Sequence, residues 1–300
     1  MATWFHKWRN WEYWPVYIVY FPAFFYWGFS ALSFRSIYFY RWVNPSIPNG
    51  GLFGDSKRKI YDLLPAWTYP KTVLVHLNEP MAKTIGLVER HLNFPMVLKP
   101  DIGCRGVDVK KVNSVAEFED YFKSSNGNFL AQEWVDLPNE LGLFYCRIPG
   151  REKGEITGIT MKEFLTVEGD GVSSLRQLLD AVPRYKMQIR KLEEVMDLNR
   201  ILALGEKQCL VPYGNHNRGT RFIDGSRFIT PALDHYFNTL LSGIEGFYYG
   251  RLDIRYNTFE ELERGEHFKI IEVNGAKSEP THIYDDQHSF GFGQREIFKH

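Results

Sequence analysis

The chain has 300 residues, 44% of them hydrophobic, enough for one large domain or two to three small ones. That composition excludes a disordered chain, a collagen-like repeat and a disulfide-stapled miniprotein. Lysine plus arginine and aspartate plus glutamate both total 36, so no global basic field favours nucleic acid as a partner. Cys104, Cys146 and Cys209 form no CxxC pair, which suits a reducing compartment and gives no support for a structural zinc site.

Six of the eight tryptophans (Trp4, Trp8, Trp11, Trp14, Trp27 and Trp42) lie in the first 45 residues. From Tyr13 to Phe34 run 22 residues without a charge, long enough for a membrane span of about 20 apolar residues. Pro15 and Pro22 interrupt the run, and its Tyr and Trp are scattered rather than gathered in two belts. A kinked span, a re-entrant hairpin or a helix in the headgroup region all fit, and a buried core helix is the competing reading. Lys7 and Arg9 before the run, and Arg35, Arg41, Lys57, Arg58 and Lys59 after it, favour the bulk of the chain on the cytoplasmic face of the inner membrane. The Pro- and Gly-rich stretch 44–55, NPSIPNGGLFGD, reads as the linker that follows.

Beyond it the pattern is mixed α/β. SKRKIYDLLPAW predicts a short helix closed by Pro65, TVLVHL a strand, MAKTIGLVERHL a helix, and FPMVLKP a buried strand. SVAEFEDYFKSS predicts a serine-capped helix and FLAQEWV a strand. SSLRQLLDAV predicts a helix, followed by a second helical stretch rich in Lys, Arg and Glu through Leu204. YYGRLDIRY and FKIIEVNG read as strands around a polar loop, NTFEELERGEH.

Four segments concentrate chemistry. In FPMVLKPDIGCRGVDV, Lys99 ends a strand, and Gly103 and Gly106 bracket a loop whose amides can approach a phosphate. In FLAQEWVDLPNE, a strand runs into a linker and Glu140, offering main-chain amides to a base and a carboxylate to a ribose. In FKIIEVNG, Glu272 and Asn274 are two apart on a strand and share a face, and an antiparallel partner brings Asp253 alongside. Two carboxylates and an amide oxygen are hard ligands that suit Mg²⁺, although solvent-facing strand residues would look the same. In GNHNRGTRFIDG, His216, Arg218 and Arg221 stand in a Gly-rich loop that either clamps an anion or is a solvated turn.

In order and spacing these segments resemble the ATP-grasp superfamily of carboxylate–amine ligases, which includes D-alanine–D-alanine ligase and cyanophycin synthetase. The resemblance covers about residues 56 to 284 and implies an α+β ATP-grasp fold: two α/β subdomains clasping ATP, preceded by an aromatic, apolar N-terminal membrane-association segment. It divides the chain into that segment (1–45), a linker and start of the nucleotide region (46–75) and the ATP-grasp domain (76–300). Ser56-Lys57 opening a helix, with Pro70 thirteen residues after the lysine, resembles the first phosphate-contacting lysine of the family, and Lys99 the second. Gln132, Glu133 and Val135 resemble the hinge strand that reads adenine, and Glu140 the ribose carboxylate. Lys162, seven positions before GDG, resembles a nucleotide-facing basic residue of cyanophycin synthetase. Asp253, Glu272 and Asn274 would hold Mg²⁺ or Mn²⁺, with Arg251 or Arg221 steadying an oxyanion.

The resemblance implies an ATP-dependent ligase that makes an acyl phosphate from a small-molecule or membrane-presented carboxylate and passes it to an amine, with membrane lipid met by the N-terminal segment. An ATP-grasp phosphotransferase, or a non-catalytic nucleotide-binding module at a membrane surface, are the alternatives. Two departures stand out. The chain has too little room for the full N-terminal α/β domain usual in the family. After EVNG, the sequence NGAKSEPTHIYDD replaces the ligase segment that shapes the acceptor site, so Glu279, His282 and Tyr284 would line a different pocket.

Overall fold

A computed structural model describes residues 3–103, 106–214 and 218–300. Three helices come first: α1 (Thr3–Arg9), α2 (Val16–Val19) and α3 (Phe21–Ser33). Then follow α4 (Lys57–Tyr61), β1 (Thr72–Val75), α5 (Met81–Glu89), β2 (Met96–Pro100), β3 (Lys110–Val112), α6 (Val115–Ser124) and β4 (Phe129–Glu133). The middle comprises β5 (Asn139–Cys146), β6 (Glu155–Glu163), β7 (Leu165–Glu168), α7 (Leu175–Ala181), α8 (Pro183–Lys186), α9 (Ile189–Leu192), β8 (Lys207–Val211) and β9 (Arg221–Asp224). The chain ends with α10 (Pro231–Ser242), β10 (Tyr249–Tyr256), α11 (Phe259–Glu263), β11 (Phe268–Asn274) and α12 (Phe290–Lys299).

Local chemistry sets many of these boundaries. Ser56, Ser114, Thr230 and Ser289 each accept a backbone N–H of the helix they precede, filling a donor that has no intrahelical partner. Ser174 with Gln177 and Thr258 with Glu261 form reciprocal capping boxes. The second box turns the sequence NTFEELERGEH, expected as a loop, into α11. The charged stretch after α7 breaks into the four-residue helices α8 and α9 rather than one long helix.

The charge-free N-terminal run corrects the transmembrane option. Among the described residues no helix is long and apolar enough to cross a membrane. Pro15 and Pro22 remove two N–H donors, and the run splits into α2 and the 13-residue α3. Thirteen residues at 1.5 Å each reach about 20 Å, against roughly 30 Å of hydrocarbon.

Two compact units share the chain. One gathers three stretches, Met1–Ser33, Thr160–Arg227 and Pro280–His300; the other joins Phe34–Ile159 and Phe228–Glu279. In the first, β7 and β8 pair antiparallel and pack with α7 and α9 over Leu165, Leu175, Leu179, Leu202 and Leu210. There β9 pairs with the Thr160–Glu163 half of β6, and a second small core joins Trp11 and Val19 to Ile283 and Ile297.

The second unit holds an antiparallel four-stranded sheet in the order β1-β4-β2-β3. Its apolar face meets α5 and α6 over Val88, Met96, Leu98, Phe118 and Phe129. A further antiparallel sheet runs β11-β10-β5-β6. Residues 44–55, read as a linker, are built into this unit. Asn44 is fully buried; its amide donates to the carbonyls of Gly50 and Tyr249 and its oxygen accepts from the N–H groups of Tyr248 and Tyr249. Gly51, at φ +78°, lies so close to Gly275 that a Cβ there would come within 2.7 Å of the Gly275 Cα. The segment therefore braces the end of β11, where Asn274 stands.

Candidate active site

Strand register assembles the acidic part of the site. Asp253 of β10 lies directly opposite Glu272 of β11, and Arg251 opposite Asn274. Alternation then puts all four on one face, as the two-residue spacing predicts. A bulge interrupts the ladder after Asp253, so that Ile271 has no opposite number. The carbonyl this leaves outside the ladder accepts from the Tyr61 hydroxyl and, at 3.0 Å, from the Lys99 ammonium. Ile271, although apolar, is accordingly only half-buried.

Lys99 is buried and also donates to Gln132 Oε1 at 2.8 Å and to the Tyr61 hydroxyl at 3.0 Å. Gln132 is oriented in turn by donating to Thr72 Oγ1. Three neutral acceptors satisfy the hydrogen-bonding directions of the ammonium without repaying its lost hydration. Burial therefore pushes the Lys99 pKa down to about 8, with Glu272 opposing the fall. Lys57 is likewise lowered by burial, and Glu272 again opposes.

Lys57 reaches this place through Asp101, which follows β2. Asp101 Oδ1 accepts from Ser56 Oγ and from the Arg58 N–H, and its carbonyl accepts from the Lys57 N–H. The start of α4 is thus fastened to the end of β2, bringing the two lysines of the sequence reading together. Lys57 Nζ donates to the Gly103 carbonyl at 2.8 Å, so the glycine loop joins the same cluster. Gly106 adopts φ +66°.

Arg251 grips Asp253 with both ends of its fork, Nε to Oδ1 at 3.0 Å and Nη2 to Oδ2 at 3.3 Å. Burial opposes the guanidinium's charge, but the Asp253 carboxylate outweighs it and raises the Arg251 pKa, with Glu272 and Glu279 adding to the rise. Gly142 stands opposite Asp253 on β5, and a Cβ there would lie 3.2 Å from Arg251 Cδ and 3.3 Å from Asp253 Oδ1. A side chain there would push the Arg251–Asp253 pair aside by a few tenths of an ångström. Three cations, Lys57, Lys99 and Arg251, thus converge with two carboxylates, an arrangement with spare positive charge for a polyphosphate.

The residues fit a small hard cation. Asn274 is buried, and its Nδ2 atom has no hydrogen-bond partner. Amide N and O are exchangeable in assignment, so the flipped rotamer would aim an oxygen at the same place. Among the described residues no group of three or more His, Cys, Asp or Glu side chains is gathered as a metal site. Two carboxylates and one amide suit Mg²⁺, which keeps most of its shell for water and phosphate.

Other expected site residues fall as follows. Glu140 follows the connection 134–138 as the second residue of β5, paired across the sheet with Arg255 at 3.0 Å, both side chains buried. Glu133 accepts from the Lys71 N–H, and Val135 lies half-buried in the connection from β4 to β5. Lys162 is buried on β6 in the first unit, opposite Phe222. Arg221, also there, donates from Nη2 to both carboxylate oxygens of Asp286, and its Nη1 lies 3.6 Å from Glu163. Arg218 lies over the Tyr213 ring, and His216 falls outside the described residues. Glu279 is half-buried, and its carbonyl accepts from Arg251. Tyr284 packs its ring 5.1 Å from that of Trp11, and buried His282 lies 3.5 Å from Glu296. Sequence reasoning missed Tyr61, Asp101, Gly142 and Arg255; a KPD run and a glycine in an apolar strand are their only sequence traces.

The Lys99 environment makes a pH prediction. Between about pH 8 and 10.5 the unfolded chain binds the Lys99 proton while the folded chain has released it, so this group's contribution to stability rises with pH across that window. Anion binding runs the other way, because an anion needs the charged form. The dissociation constant for a polyphosphate anion should rise about tenfold per pH unit above 8, and Lys99→Arg should move that rise to higher pH in a calorimetric titration.

Among solved structures, the chain is similar to a D-Ala:D-Ser ligase from Enterococcus faecalis, at 12% identity and a TM-score of 0.47 over 81% of this chain and 60% of that one. A D-alanine–D-alanine ligase from Bacillus anthracis gives 13% and 0.43, covering 81% of this chain and 65% of that one. A bifunctional glutathione synthetase from Pasteurella multocida gives 14% and 0.42, covering 81% and 36%. The chain therefore spans between about a third and two thirds of the length of these structures. No family description and no curated protein matches it.

Proposed function

We propose that the chain is an ATP- and Mg²⁺-dependent ligase joining a carboxylate to an amine through an acyl phosphate. The observation that carries this reading is the convergence of Lys57, Lys99 and Arg251 on Glu272, with Asp253 and Asn274 beside it in strand register. Lys57 and Lys99 neutralise the phosphate oxygens, and their lost hydration makes an incoming anion a favourable exchange for both. Gly103 and Gly106 let the loop backbone close on the phosphates and exclude water. Gln132 and Glu133 at the end of β4, with Val135 just beyond it, offer groups to the base, and Glu140, held by Arg255, offers a carboxylate to the ribose.

Asp253, Glu272 and Asn274 would hold Mg²⁺, which would supply further neutralisation of the phosphate charge. The substrate carboxylate attacks the γ-phosphorus and expels ADP; the amine then attacks the acyl carbon and expels phosphate. Arg251 faces the oxyanion of that second step. No protein nucleophile is needed, since positioning and charge supply the rate. A kinase-like transfer to a hydroxyl is separated by product analysis, because a ligase releases ADP in quantity only with both carboxylate and amine present. The aromatic N-terminal segment and its basic flanks support a place on the cytoplasmic face of the inner membrane, with small or membrane-presented substrates.

The test is thermal unfolding of the full chain with ATP, with and without Mg²⁺, beside Lys99→Ala. The full chain is required because residues 1–33 and 34–55 are parts of the two units. Ligand at about a hundred times its dissociation constant adds roughly 2.7 kcal/mol, a shift of about 5 to 10 °C for a protein of this size. A Mg²⁺-dependent shift absent from Lys99→Ala is expected; no shift in the folded wild type would sink the nucleotide reading.

A further inference from the structure

Helix α3 contains no charged residue, yet none of its side chains is buried. Ala23 packs on the core formed by Trp11, Val19, Ile283 and Ile297, and the Tyr26 ring meets Phe298 of α12 edge-on at 6.3 Å. Away from these contacts Phe21, Phe25, Phe29 and Leu32 follow at spacings of four, four and three, which is one stripe along a helix. Their exposures are 60%, 67%, 68% and 79%, and the Phe21 and Phe25 rings touch each other at 5.1 Å. Tyr17 and Ile18 of α2 are exposed as well. A stripe of this kind on a helix fixed to a folded unit needs a cover.

Charge says which cover. Exposed Lys7 and Arg9 precede the charge-free run, and exposed Arg35 stands two residues past the end of α3, with Arg41 further on. No acidic residue occurs between Glu12 and Asp55, and Glu12 is itself buried in an ion pair with Arg184 at 2.6 Å. The apolar stripe is thus bordered in sequence by cations alone, the complement of anionic headgroups over an acyl layer. Helix length excludes crossing, and Trp and Tyr rings suit the water–lipid boundary.

We propose that α3 is a monotopic foot. It lies in the plane of an anionic leaflet, with Phe21, Phe25, Phe29 and Leu32 inserted and Lys7 and Arg9 of the same unit at the headgroups. This deepens the membrane placement above by naming the lipid class and the mode, and it does not depend on the ligase chemistry. The foot is fastened rather than tethered. Trp11 Nε1 donates to the His288 carbonyl, Gln294 Nε2 donates to the Val19 carbonyl at 2.8 Å, and the Glu12–Arg184 pair holds the same unit. Bilayer contact therefore orients the folded unit and not merely its leading segment.

The test is co-sedimentation of the full chain with phosphatidylcholine vesicles and with vesicles carrying about 30% phosphatidylglycerol, for the wild type and for Phe25→Ser/Phe29→Ser. The expected result is binding at least about tenfold tighter to the anionic vesicles, weakened by salt at about 0.5 M, lost in the double variant and reversed by alkaline carbonate. An unchanged melting temperature and Mg²⁺–ATP shift in the variant separates lost docking from lost fold, and from failure of the nucleotide reading. Wild type remaining in the supernatant, carbonate-resistant insertion, or variant-sensitive dimerisation without vesicle binding would each overturn the proposal.

Discussion

Glu272→Gln is expected to leave the chain folded and to remove the Mg²⁺-dependent part of nucleotide binding. Glu272 is only half-buried, so the isosteric neutral amide fits in its place. Its electrostatic reach is wider than its contacts, since it supports the charged forms of Lys57, Lys99 and Arg251 together. The substitution therefore does two things. It takes away one hard oxygen ligand, and it lets the Lys99 pKa fall further below about 8. Turnover should drop by about 10²–10³, the usual loss when one preorganised charge-stabilising group is removed. The upper pH limit for ATP binding should also move down, a shift that a merely structural residue would not produce. Steady-state ADP release against Mg²⁺ concentration and pH reads both effects. An unaltered Mg²⁺ requirement would remove Glu272 from the metal site. Asp253→Asn is the less clean variant, because it unbalances the buried Arg251 guanidinium as well.

Breaking the Glu12–Arg184 pair should have the largest effect on stability. Both side chains are almost wholly buried, and the guanidinium also lies over the Tyr13 ring. Truncating either partner leaves the other charged and largely cut off from solvent, which costs about 3–5 kcal/mol. At about 2–4 °C per kcal/mol that is a fall of roughly 6 to 20 °C in melting temperature. Glu12→Leu/Arg184→Met, which removes both charges and keeps volume, should recover much of the loss. Equal melting for Glu12→Ala and the wild type would show that the pair contributes nothing. Nucleotide binding is a useful second measurement, because the pair lies in the unit that does not hold Lys57, Lys99 and Glu272.

Strands β10 and β11 were the most legible part of the sequence. Period-two spacing places Glu272 and Asn274 on one face, and a short connection makes the strands antiparallel, so Asp253 had few places to go. Lys57 and Lys99 were visible as residue types at element ends, but what joins them was not. Asp101 acts through both its side chain and its carbonyl, and a single KPD triplet does not announce that. The bulge at Ile271 was also hidden, since a two-against-one mismatch belongs to the pairing of two strands and to neither alone. Glu140 was seen as a carboxylate after a linker. Its partner Arg255 is 115 positions away and becomes visible only with the β5–β10 register. Residues 44–55 misled for a general reason: prolines and glycines mark turns, and turns can be buried when a side chain such as Asn44 satisfies their backbone groups.

The first unit carries a consequence for biogenesis. Its three stretches are far apart along the chain: the partner of Glu12 is Arg184, and the surface that receives Trp11 is completed by Tyr284 and Phe290. At about 5–20 residues per second, ribosomal synthesis delivers Arg184 roughly ten to thirty seconds after Glu12 and the Phe290 surface later still. Through that interval the aromatic N-terminal helices have been made but have nothing of their own unit to close on. A chaperone-trapping experiment on stalled nascent chains should find this segment protected by a helper factor until the last stretch has emerged.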